Sequence, residues 1–482
     1  MLRAKKKRAA SGRAIAKGGR PSMANAADPS QALIARLERL PFAGWHRRLL
    51  AFAFFGTLFD AADFAMFGAA LPPIAREFGL GPAQAGLLAT SGLFGAFLGA
   101  LFWGTISDYI GRRTAFQTTI GIFAICTGLA AGAWNMASLV IARFLANFGL
   151  GGEVPVACTL VAEFMPSRVR GTATGNMMTA FPVGLVVAAG LSLAIIPNFG
   201  WRWLFVVGVI PALILFFVRR NVPESVRYLV SRGRLVDAER TVAEIEQSVT
   251  GKSGASVNAA RGGAVPATGV TVFQLLAPGR RRRTILLWIV SFCFLWSSNG
   301  ILFMLPTILT QRGLPLSEAI LFQLVQASAA IFGYSACSFL IDRYGRRPVL
   351  FLYYFIGAAF HLWFAMASGA WMFAAIACVG WVNPGVYGPT TIYAGELYPT
   401  QMRATAVGWV FGIGRIGSFL APTVVGLMLY WGLGAYVLHT FALTYLIAAL
   451  ALIAIGIETK GKALEAISAE EGESATTLAP AV

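Results

Sequence analysis

Two carboxylates, Asp60 and Asp63, stand three residues apart in a stretch that is otherwise apolar from Leu49 to Ile74. An ionised side chain deep in a bilayer is costly, so a chain keeps one there only when it is paired or used. At this spacing both acids share one face of a helix. Arg143, in another apolar stretch, is a candidate counter-ion for Asp63. Asp63 lies nine residues in from Pro72, ~13 Å, and Arg143 seven residues in from Met136, ~11 Å, at 1.5 Å per residue. The pair is either a static salt bridge that fixes packing or a proton switch, in which protonation of Asp63 frees Arg143 and shifts a conformational balance. Asp60 lies one turn deeper and shares the proton, faces a cavity or is a hydrogen-bonded core acid.

A second cation, Arg415, lies about eleven residues in from Ala404, ~17 Å and hence near the midplane of a span. Gly412, Gly414 and Gly417 flank it and allow neighbouring helices to come close. Arg415 either pairs with a carboxylate such as Asp60 or holds a substrate carboxylate in its planar fork. Asn299, Trp296, Tyr387 and Trp409, with Phe59, are candidate cavity residues, and the rings of the four aromatic ones suit a flat molecule. Metal and nucleophile chemistry find no comparable footing. The five cysteines all fall in apolar runs without a Cys-x-x-Cys spacing, the three histidines are scattered, and no Gly-x-Ser-x-Gly arrangement occurs in a span. The expectation is no metal, no cofactor and no enzyme.

The elements that carry these residues follow from composition. The chain of 482 residues is 57% hydrophobic and 12% charged, with mean hydropathy +0.68. Twelve apolar runs are readable, near 49–72, 84–106, 115–134, 137–162, 172–196, 202–219, 284–309, 317–341, 349–367, 371–394, 404–430 and 433–457. They predict an all-α membrane protein with twelve transmembrane helices in two pseudo-symmetric six-helix halves. The predicted organisation is a basic cytoplasmic tail (1–44), a first half (45–219), a central cytoplasmic loop (220–283), a second half (284–457) and a cytoplasmic tail (458–482). The net charge of +18 sits mainly in alternate loops, which places both termini in the cytoplasm and makes the charge a matter of topology, not of nucleic acid. Residues 1–22 are basic and poor in core-forming side chains, so disorder is expected, without a cleaved signal; Met23 is an alternative start. Residues 31–48 read as a short amphipathic helix leading into the first span, and 251–269 as a flexible linker.

The halves repeat. Asp108-x-x-Gly111-Arg112-Arg113 recurs as Asp342-x-x-Gly345-Arg346-Arg347, and Glu163-x-x-Pro166-x-x-x-Arg170 recurs as Glu396-x-x-Pro399-x-x-x-Arg403. Each feature is 233 or 234 residues from its counterpart, as is Pro72 from Pro306. A constant offset implies a duplicated six-helix unit with the substrate site between the halves near the midplane. Each charged loop is either a capped turn or part of a charge network that locks the cytoplasmic side; recurrence favours the gate.

These loops resemble the signature loops of the major facilitator superfamily. Arg143-x-x-x-Asn147-x-Gly149-x-Gly151-Gly152 is similar to its fourth-helix motif, and Pro223-Glu224-Ser225 and Glu458-Thr459-Lys460-Gly461 to marks of its sugar- and metabolite-porter branch. The resemblance spans about 45–460 and implies alternating access, with a gate at the charged loops and proton coupling through Asp63 and Arg143. Asp60-Ala61-Ala62-Asp63, the run Gly149 to Ala157 and Phe411 to Gly417 look most like bacterial niacin permeases and their synaptic-vesicle-protein-like relatives. That implies a monomer in the inner membrane taking up a nicotinate-type monocarboxylate with a proton. Alternatives are an aromatic-acid or sugar proton symporter, the sugar disfavoured because spans five and seven lack the glutamines that bind hydroxyls, and a membrane sensor that does not transport.

Overall fold

The computed structural model describes residues 29–166, 169, 173, 177–218, 223–250, 272–398 and 400–460. Residues 1–28 of the basic tail, the linker at 251–269 and the chain after 460 lie outside the described residues, as do Arg170 and the side chains of Asp108 and Arg112.

The described regular structure is helical, in two compact units, Met1–Pro41 with Val226–Val265, and Phe42–Ser225 with Pro266–Val482. The first unit holds α1 (Pro29–Arg39), α9 (Val226–Ser231) and α10 (Leu235–Thr250). Its core is the apolar stripe of α10, Leu235, Ala238, Val242 and Ile245, at the three- and four-residue steps of an amphipathic helix. Leu33 and Leu37 of α1 are buried likewise, and Arg36 fixes the pairing by donating Nε and Nη2 to Glu246 at 2.9 and 2.6 Å. The expected helix over 31–48 is therefore two. It stops at Arg39, because Pro41 disfavours helical backbone at Leu40, and Arg47 and Arg48 belong to the first span.

The second unit carries the spans. In the first half they are α2 (Gly44–Glu77), α3 (Pro82–Ile110), α4 (Arg112–Ala131), α5 (Met136–Leu150) continued by α6 (Glu153–Phe164), α7 (Ala180–Phe199) and α8 (Trp201–Val218). The short α11 (Val272–Leu275) precedes the second half. There the spans are α12 (Arg281–Gln311), α13 (Leu316–Tyr344), α14 (Arg346–Met366), α15 (Ala370–Val382) continued through a 3-10 turn by α16 (Tyr387–Glu396), α17 (Thr400–Tyr430) and α18 (Val437–Ile455). Among the described residues ten helical segments are long and apolar enough to cross a membrane, and Met136–Leu150 and Trp201–Ile214 are shorter apolar helices. The result is an all-α membrane protein of two six-helix halves, the fourth span broken at Gly151-Gly152 and the tenth at Asn383 to Val386.

The repeat is visible in the backbone. Gly111 (φ 98°) joins α3 to α4 and Gly345 (φ 105°) joins α13 to α14, both in a region where a Cβ is strained. The halves meet where α3 packs on α17, α7 on α13 and α2 on α12. Toward the end of the bundle away from the basic loops these crossings are tight. A Cβ on Gly86 would lie 2.3 Å from Pro422 O, and one on Gly426 2.5 Å from Pro82 O. Thr90 on the same stripe donates to Phe419 O at 2.7 Å. Trp134, Trp371, Trp431 and Tyr436 are exposed around this end, where amphipathic rings suit a lipid headgroup layer.

Candidate transport site

Asp63 and Arg143 meet inside the first half. Arg143 donates Nη1 to Asp63 Oδ1 at 2.9 Å and Nη2 to Oδ2 at 2.7 Å, with side-chain exposures of 1% and 3%. The guanidinium also stacks over Phe67 and Phe205, 4.5 and 5.3 Å from the ring centres. This bidentate, water-excluded geometry makes the pair a strong one, and removing one partner strands the other charge. Asn147, one turn on, donates to Arg143 O at 3.0 Å and packs against Gly92 of α3.

Asp60 lies on the wall of a cavity of about 210 Å³ between the halves, together with Arg415, Asn299 and Tyr387. Phe64, Phe181, Phe294 and Phe411 supply flat apolar walls. Arg415 donates Nη1 to Ala96 O of α3 at 3.1 Å, so its protein partner is a carbonyl, and among the described residues it makes no ion pair with a carboxylate. Ala96 is close because α5 breaks beside it: a Cβ on Gly151 would lie 2.1 Å from the same oxygen. Gly414 and Gly417 admit α12 next to Arg415, as their spacing suggests, whereas Gly412 faces open space.

Trp296, Trp409 and Phe59 are not on the cavity wall. The wall of α17 is Phe411, Arg415 and Ser418 at helical steps, and Trp409, two residues before Phe411, points about 200° away and sits by Trp288. Trp296 is one position off the wall residue Leu295 and stacks on Phe292 at 6.0 Å. Phe59 stacks on Phe55. Unanticipated wall residues are Thr57, Gln323, Gln326, Tyr334 and Asn383. A legible signal was there for three of them: two glutamines at i, i+3, and Asn383 before Pro384-Gly385, each interrupting an apolar span.

At the basic end the described charge pairs stay within one half. Arg346 reaches Glu396 at 3.2 Å and Asp342 at 3.3 Å, Arg347 donates to Leu452 O and Ile453 O, and Arg403 donates to Gly395 O. Glu163 ends its span at the corresponding place in the first half, and the backbone N–H of Arg113 reaches Glu224, 3.2 Å from each oxygen. The equivalent residue 234 positions on, Glu458, accepts the N–H groups of Arg346 at 2.9 Å, Arg347 at 3.0 Å, Thr459 at 3.0 Å and Lys460 at 2.9 Å. Each glutamate thus caps the helix after the glycine turn of its own half. Burial would raise the Glu458 carboxyl, but the four N–H donors outweigh it and hold it below its ordinary 4.5. A lowered carboxyl contributes stability above the ordinary range and loses it as pH falls through the lowered value. Glu458→Gln should therefore lower the melting temperature at neutral pH, with a gap to wild type that narrows in acid. A gap independent of pH would contradict this.

A lipid-spanning pair of pseudo-symmetric halves around a central cavity is the architecture of a membrane carrier. The family described as sugar (and other) transporter matches residues 53–470, and the chain belongs to it, within the major facilitator superfamily. The chain is 34% identical over 449 residues to the niacin transporter NiaP of Acinetobacter baylyi, covering 90% of this chain and 99% of the relative. It is 29% identical to the 4-hydroxybenzoate transporter PcaK of Pseudomonas putida, covering 88% and 94%. In fold it is similar to the partially occluded inward-open form of the xylose transporter XylE from E. coli, with TM-score 0.71 and 19% identity over 87% of this chain and 100% of that one. These relatives are transporters, and so is this protein.

Proposed function

We propose that this protein is a monomeric, proton-coupled importer of an aromatic monocarboxylate, nicotinate first, in the inner membrane with both termini in the cytoplasm. The observation that carries the reading is Arg415, a guanidinium on the cavity wall held by one carbonyl, with no described carboxylate against it. A carboxylate offers it the bidentate, charge-assisted contact that Ala96 O cannot. The phenylalanine walls suit a flat ring, and relatives named for niacin, benzoate and 4-hydroxybenzoate share that shape.

Coupling follows from two contacts. The bound carboxylate competes with Ala96 O for Arg415 and cuts a bond between the halves. A proton on Asp63 removes the counter-charge of buried Arg143, which favours a rearrangement of α2 against α5. Asp60, on the same wall as Arg415, is the acid placed to sense the substrate's charge or to share the proton. The loops around Arg113, Arg346 and Arg347, tied within their own halves, form the cytoplasmic gate with Asp108, Arg112, Glu163, Arg170, Asp342, Glu396 and Arg403. The test is uptake of labelled nicotinate into liposomes holding the purified protein. Unlabelled benzoate should compete and xylose should not; competition by xylose alone would favour a sugar.

A further inference from the structure

Nicotinate and benzoate differ at one ring atom, a nitrogen whose lone pair accepts a hydrogen bond. We infer that Asn383, positioned by Tyr445, donates to an acceptor on the substrate ring and so selects a pyridine carboxylate over a benzene carboxylate; the inference rests on the aromatic-monocarboxylate reading above.

Asn383 is 2% exposed and lies on the cavity wall where the tenth span breaks. The Tyr445 hydroxyl donates to its Oδ1. Tyr445 is itself immobilised, its ring 4.7 Å from His361 and 5.3 Å from Tyr354, and against Gly357, where a Cβ would come within 2.5 Å of it. Turning the amide over would leave the buried Tyr445 proton without its acceptor, which costs more than the bond is worth. The fixed oxygen leaves the amide N–H₂ as the polar edge that Asn383 offers the cavity. The other wall amides differ. Asn299 spends Nδ2 on Leu295 O at 3.2 Å, and Gln323 directs Nε2 at Ala65 O and Leu302 O, 3.3 and 3.4 Å away. Gln326 is also on the wall, but among the described residues no hydrogen bond fixes which end of its amide faces the cavity.

The test measures binding of labelled nicotinate and labelled benzoate to the purified full-length protein and to Asn383→Leu, Tyr445→Phe and Gln326→Leu. Asn383→Leu and Tyr445→Phe should each weaken nicotinate roughly tenfold or more while benzoate changes by less than about threefold. Retained benzoate binding reports a folded site, and a merely structural role would not move the ratio of the two affinities. Gln326→Leu should leave that ratio unchanged. Equal losses for both acids, or a collapse of the ratio in Gln326→Leu alone, would overturn the assignment to Asn383. If the wild type binds neither acid, the monocarboxylate reading falls and takes this inference with it.

Discussion

Asp63→Asn is expected to abolish uphill accumulation of substrate while exchange of labelled for unlabelled substrate across the membrane persists. The substitution keeps the shape of the side chain and removes its charge and its titration. It leaves Arg143 buried without the counter-ion that both its terminal nitrogens now contact. Breaking a buried pair by removing one partner costs roughly 3–5 kcal/mol, so a lower melting temperature is part of the expected result. Neutralising both sites, Asp63→Asn with Arg143→Leu, should recover part of that stability and none of the accumulation. A static packing bridge predicts the reverse: accumulation returns whenever stability does. Asp60→Asn, run beside it, separates the two acids. Asp60 is on the cavity wall and Asp63 is inside the first half, so loss of affinity should track Asp60 and loss of coupling Asp63.

Arg415→Lys is expected to weaken binding of an acid substrate strongly, by roughly 2–5 kcal/mol if the contact is a desolvated, bidentate one. Lysine keeps the charge and loses the planar fork, and its ammonium meets a carboxylate through one point. An amide analogue, nicotinamide, lacks the anion and should bind the wild type poorly and lose little further in the variant. Equal losses for acid and amide would mean that Arg415 serves to hold α17 against α3 through Ala96 O.

Much of this arrangement is legible in the sequence. Buried charges are costly enough that Asp63 and Arg143, at matched depth in two apolar runs, had few other places to go. The offset of 233 or 234 residues announced the two halves, and Gly111 and Gly345 turn as their loops require. Glu224 and Glu458 obey the same offset and could have been paired on that ground alone. The rotation of each span about its own axis was not legible. In a helix that is apolar almost all round, no stripe marks which side faces the cavity. Of the four aromatic candidates Phe59, Trp296, Tyr387 and Trp409, only Tyr387 lies on the wall. The breaks at Gly151-Gly152 and at Asn383 to Val386 carry residues that weaken a helix, but glycine, asparagine and proline within a long apolar run do not by themselves say that a span divides there. Asn383 is legible as a polar interruption of its span, but its role is not, because that role depends on the tyrosine 62 residues away that fixes its amide.

The central claim is that a proton gradient drives an aromatic monocarboxylate through this protein. The direct measurement is uptake of labelled nicotinate into liposomes holding the purified wild type, with an inward proton gradient imposed and then collapsed by a protonophore. The expected result is accumulation above the outside concentration that decays to equality when the gradient is collapsed. Equilibration to the same level with and without the gradient would contradict it.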